Sequence, residues 1–95
     1  NLERFVACYA KDVQVFRPPA AEPVFNGLDA LAAFYAANRF NLPALHAELL
    51  GRLVIGNKVF DHERVHGVGP VPQEVAAIYE VTPQGIAKVW FVSGD

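Results

Sequence analysis

The sequence predicts an α+β domain in which N-terminal helices pack on one face of a curved antiparallel sheet. Apolar residues recur with a helical period before Pro43 and with a period of two after it. Turn residues then divide the second half into successive apolar runs. A chain of 95 residues, 53% hydrophobic and 19% charged, buries roughly 64% of its unfolded surface, enough for one core and a single domain spanning 1–95. That composition excludes a disordered chain.

Each element has a local reason. Leu2, Phe5, Val6 and Tyr9 stand at i, i+3, i+4 and i+7 and form one apolar stripe, which predicts a helix over 2–10. Val13, Val15 and Phe16 around Gln14 suit a short strand. Arg17 and the pair Pro18-Pro19 end it, because proline has no N–H to donate to a ladder. Residues 18–25 read as loop. Asn26 is a good N-cap, Asp29 favours the positive end of a first turn, and Leu28, Leu31, Ala32 and Tyr35 repeat the stripe, so a second helix is predicted over 27–39. Beyond Pro43, Leu45, Ala47, Leu49, Leu53 and Ile55 alternate with His46, Glu48 and Arg52, the mark of a strand. Gly56-Asn57 supplies a tight turn, and 58–66 returns as the second arm of a hairpin. Gly67, Gly69, Pro70 and Pro72 form the next connection, 74–81 a further strand, 82–85 a turn and 86–92 the last strand.

Charge and cysteine content exclude several classes of function. Eight Lys plus Arg against ten Asp plus Glu give a net charge of −2 with no basic run, so nucleic-acid binding driven by phosphate charge has no footprint. The apolar runs fall far short of the ~20 residues that span a bilayer, and no membrane partner is expected. The single cysteine, Cys8, makes neither an intramolecular disulfide nor a zinc cluster, and a reducing cytoplasm fits it best. The three histidines have no ligand spacing, so no metal and no cofactor is expected. The chain contains no Met, and its natural start is expected to lie before residue 1.

A family resemblance rests on the run 2–10 followed by a strand and a proline loop, and on Asn26-Gly27 opening a helix with Phe34-Tyr35. His46-Ala47-Glu48, Asp61-His62-Glu63-Arg64-Val65 and Lys88-Val89-Trp90-Phe91 follow in order. Over essentially the whole chain this series resembles the SnoaL-like branch of the nuclear transport factor 2 (NTF2)-like superfamily. The resemblance implies a cone-shaped α+β barrel wrapped around helices with an apolar pocket inside, commonly a homodimer through the sheet, with one further helix before this chain's first. Members include ketosteroid isomerases, polyketide cyclases, limonene epoxide hydrolases and proteins with no known activity, so the fold does not fix a function. Ketosteroid isomerases use an aspartate base and two neutral donors, a tyrosine and a protonated aspartic acid. By the resemblance, Arg17 occupies the base position and Tyr79 the acid-donor position. An arginine is never deprotonated at neutral pH, so that mechanism lacks its base here.

The candidate site follows from strand alternation combined with the resemblance. Val59, Asp61, Glu63 and Val65 share one face of 58–66, and Phe60, His62, Arg64 and His66 the other; hydrophobicity alone leaves open which faces inward. The resemblance aligns Glu63 and Val65 with pocket-lining positions, together with Val75, Ala77, Tyr79 and Val81, and with Lys88, Trp90 and Val92. Asp61 and Glu63 are therefore the candidate catalytic acid–base pair. A carboxylate buried there either rises in pKa or meets a cation such as Arg17, and a raised pKa suits acid–base work near neutrality. The candidate ligand-binding residues are Arg17, Phe34, Tyr35, His46, Val65, Ala77, Tyr79 and Trp90. For Tyr79 and Trp90 the competing reading is core packing. For Arg17 the readings are a loop cation, recognition of an acidic ligand, or an ion pair with Glu63. His62 reads as a surface or dimer-interface residue. The expected function is binding, and acid–base conversion as an isomerase, cyclase or hydrolase, of a small hydrophobic carbonyl-type compound. The alternative is a non-catalytic ligand-binding or protein-interaction module.

Overall fold

The computed structural model describes residues 2–39 and 42–93. In chain order the elements are α1 (Leu2–Ala7), β1 (Tyr9–Phe16), β2 (Phe25–Asn26), α2 (Leu28–Asn38), β3 (His46–Ile55), β4 (Lys58–His66), β5 (Gln73–Thr82) and β6 (Gly85–Ser93). One six-stranded sheet runs in the order β2-β1-β6-β5-β4-β3. Strands β3 to β6 form the antiparallel meander that their alternation and turn residues predict. The fold class is α+β, with two helices against a curved sheet.

The N-terminal third departs from its local pattern because the sheet competes for it. Helix α1 stops at Ala7, where the apolar stripe predicts residue 10. Tyr9 pairs instead with Ile86, whose N–H donates to the Cys8 carbonyl at 2.9 Å, and β1 joins β6 in parallel. The Leu2 side chain of the predicted stripe lies outside the described residues. Part of the predicted loop 18–25 also enters the sheet, since Val15 pairs with Phe25 and Gln14 with Asn26. That pairing removes Asn26 from its predicted capping role, and Gly27 begins α2 with no side-chain cap.

The core lies where α2 meets β1 and β6. Leu31 packs with Tyr9, Val13, Val15 and Val89, and Phe5, Tyr35 and Phe91 pack against that cluster. Enclosing each of Leu31, Val13, Val15 and Val89 contributes roughly 1.5–3 kcal/mol.

Two register features decide which side chains face this core. In β3 a bulge lies between Leu49 and Gly51, so that Leu49 opposes Glu63 but Gly51 already opposes His62. The extra residue reverses the side-chain alternation. Arg52 thereby turns to the inner face opposite Asp61, while Leu53 and Ile55 turn outward and remain 57% and 59% exposed. In β6 the inner residues are Val89 and Phe91, which oppose Tyr79 and Ala77. Trp90 opposes Ile78 on the outer face and stacks on Phe16 with ring centroids 5.8 Å apart. The alignment of Lys88, Trp90 and Val92 with pocket-lining positions is thus corrected by one residue. Ile86–Val92 is apolar in both phases apart from Lys88, so the sequence carries no signal for the face; a register shift at Glu80/Val81 sets it.

Candidate functional site

Strand β4 supplies the polar side chains of the inner face. Val59, Asp61, Glu63 and Val65 all point inward, and two cavities lie against them. The smaller, about 380 Å³, is lined by Phe5, Tyr9, Arg52, Asp61 and Tyr79 among others. The larger, about 520 Å³, includes Arg17, Tyr35, Arg39, Glu63, Val65 and Phe91 in its lining. Phe5 borders both.

The two carboxylates have opposite surroundings. Asp61 is 5% exposed and is held by Arg52 through a fork of two hydrogen bonds, with Nε donating to Oδ1 at 2.7 Å and Nη2 to Oδ2 at 2.9 Å. That arrangement offsets the cost of enclosing an ionised carboxylate. Arg52 therefore takes the place expected of Arg17. Glu63 is half-buried, and among the described residues it makes no ion pair. Burial raises the pKa of its carboxyl, the neighbouring Asp61 charge raises it further, and Arg52 partly opposes the rise. Three tyrosines lie close enough to interact electrostatically with it. Burial pushes the hydroxyls of Tyr9, Tyr35 and Tyr79 upward, so all three stay protonated as potential donors.

The structure gathers most of the predicted site. Arg17, Tyr35, His46, Glu63 and Val65 line the larger cavity, and Asp61 and Tyr79 the smaller. Ala77 is fully buried on the inner face between Asp61 and Phe91 in the sheet register. His46, at the strand end, stacks on His66 at 5.9 Å. Trp90 lies on the outer face and lines neither cavity. Phe34 also lines neither; it packs on Phe25 at 4.7 Å and under Arg39, because its neighbour Tyr35 takes the cavity side of α2. His62 is exposed on the outer face, 2.6 Å from Glu74. Arg52, Phe91 and Arg39 are among the lining residues that the sequence does not point to. Arg52 is hidden by the bulge, Phe91 by the uniform apolarity of β6, and Arg39 because a cation after a helix is most often solvated. For Arg52 a signal exists in Leu49-Leu50-Gly51, where alternation fails at a glycine.

Among the described residues, no three His, Cys, Asp or Glu side chains are grouped to hold a metal ion, and no helix is long and apolar enough to cross a membrane.

The family model of the SnoaL-like domain matches residues 1–90. No curated protein matches the sequence significantly. Among solved structures, an uncharacterized cystatin-fold protein from Novosphingobium aromaticivorans superposes with a TM-score of 0.81 at 22% identity, over 95% of this chain and 82% of that one. A SnoaL-like protein of unknown function from Burkholderia thailandensis gives 0.81 at 18% identity over 100% and 82%. A Sinorhizobium meliloti protein described as a candidate polyketide cyclase gives 0.78 at 22% identity over 96% and 81%.

Proposed function

The chain belongs to the SnoaL-like domain family, and from that premise we propose that its larger cavity binds a small hydrophobic carbonyl-type compound on which Glu63 moves a proton. The observation that carries the reading is a half-buried carboxylate that makes no ion pair among the described residues, on a cavity wall that includes Tyr35, Val65 and Phe91, its pKa raised by burial and by Asp61. A carboxyl group tuned upward is a competent base and acid near neutrality. Asp61, committed to Arg52, acts as the fixed negative charge that raises Glu63. The protonated hydroxyl of Tyr35, in the lining of the same cavity, is the donor for the oxygen of an enolate formed when Glu63 removes an α-proton. By the family resemblance Arg17 stands where ketosteroid isomerases carry their base, and an arginine cannot take up a proton at neutral pH, so the proton is assigned to Glu63 instead.

The test is hydrogen exchange in D₂O. With β-tetralone as the ketone, the protein replaces α-hydrogen by deuterium faster than buffer alone, and Glu63→Gln lowers that rate by about 10²-fold or more. Exchange at the buffer rate with the ketone demonstrably bound would instead favour a non-catalytic binding module. The outer sheet face, with Leu53 and Ile55 exposed, supports a homodimer through the sheet in either case. The lone Cys8 supports residence in the cytoplasm.

A further inference from the structure

We propose that the larger cavity selects a ligand bearing a carboxylate on an apolar body, with Arg17 and Arg39 holding the carboxylate at the cavity rim. The proposal rests on the small-molecule reading above and narrows its substrate class to anionic compounds, such as keto acids.

The two guanidinium groups reach the cavity from separate elements, Arg17 just past the end of β1 and Arg39 at the C-cap of α2. Neither has an acidic partner: among the described residues no carboxylate lies within ion-pair distance of either. Each is held over an aromatic face instead, Arg17 at 5.6 Å from the Phe91 ring centroid and Arg39 at 5.0 Å from that of Phe34. Stacking fixes the planar cations while leaving N–H donors free in the ring plane. Arg39 spends one donor on the Asn38 carbonyl at 2.8 Å, and a guanidinium has five.

Both cations line the same cavity, together with Tyr35. Burial raises the pKa of the Tyr35 hydroxyl, and Arg39 and Arg17 each oppose that rise. Among the described residues, Glu63 is the one carboxylate in the cavity's lining. Two cations against one carboxylate leave the cavity positive in a chain of net charge −2, and Leu45, Val65 and Val75 supply apolar wall beside the polar His46, Gln73 and Ser93. Apolar walls strengthen a charge-assisted hydrogen bond by excluding water. The complement of this surface is a carboxylate head at the rim and an apolar body lying along Val65 and Val75, next to Glu63 in the sheet. A volume of about 520 Å³ lies within the range of small-molecule sites.

Calorimetry with a matched pair tests the proposal: naphthaleneacetate and its neutral isostere naphthaleneacetamide, at pH 7 and low salt. In the wild type the acid binds about tenfold tighter than the amide. Arg17→Met and Arg39→Met, which keep the side-chain stem, each shrink that preference, and Arg17→Lys retains part of it. Equal binding of acid and amide would overturn the proposal while leaving the apolar-pocket reading intact, and that comparison needs no variant. A preference that survives both Met variants would also overturn it. Failure of both compounds to bind would bring down the pocket reading as well.

Discussion

At the scale of single residues, Glu63 and Asp61 stand two positions apart on one strand face and behave differently because of one arginine. Arg52 satisfies both oxygens of Asp61, which leaves Glu63 beside an enclosed negative charge. Removing Arg52 therefore exposes the cost of burying Asp61. Arg52→Met lowers the melting temperature, and Arg52→Met with Asp61→Leu recovers most of the loss in a double-mutant cycle. Glu63 yields a second prediction through linkage. Its carboxyl pKa in the folded state lies above the ordinary 4.5, so the folded state binds the proton more tightly than the unfolded one. Its contribution to stability is fully present below the ordinary value and is lost as pH rises through the raised one. Glu63→Gln, which never ionises, gains on the wild type across that window. Thermal melts from pH 4 to 8 are expected to show the variant's relative stability rising with pH, and a constant difference would contradict the shift.

At the scale of elements, the sequence was legible where alternation was unbroken and local. Helix α2, the hairpin of β3 and β4, and strand β5 lie within a residue or two of their predicted bounds, since period and turn residues agree there. The inward set Asp61, Glu63 and Val65 was readable once a pocket was assumed. What was not readable depends on long-range pairing. Tyr9 satisfies a helical stripe and a sheet edge equally well, and only Ile86, far along the chain, decides between them. The same holds for Trp90, whose face depends on a register shift at Glu80/Val81. One connection is predicted to be stringent. Gly67 has φ +87° and a Cβ there would collide with the Ala44 carbonyl, whereas a Cβ at Gly69 meets nothing within 4 Å. Gly67→Ala is expected to cost ~2 kcal/mol or more in chemical denaturation, while Gly69→Ala stays within about 0.5 kcal/mol of the wild type.

At the scale of the whole molecule, the inner face holds the cavities and the outer face mixes exposed apolar side chains with ion pairs. Leu53, Ile55 and Val92 are exposed there beside ion pairs such as Lys58 with Glu80 at 3.3 Å, a mixture suited to an interface with a second copy. Sedimentation is expected to give about twice the 10.4 kDa chain mass, and Leu53→Lys with Ile55→Lys to return it to the monomer. An outer-face interface also makes Trp90, the sole tryptophan, a reporter of association rather than of the cavity. The proposed chemistry depends on the state of Glu63 inside the cavity, and carbon-detected NMR of its carboxyl group through a pH titration reads that state directly. The midpoint is expected above the ordinary 4.5 and falls in Asp61→Asn, because the substitution removes the adjacent negative charge and releases Arg52. A midpoint at or below the ordinary value, or one unmoved by Asp61→Asn, would contradict a raised Glu63.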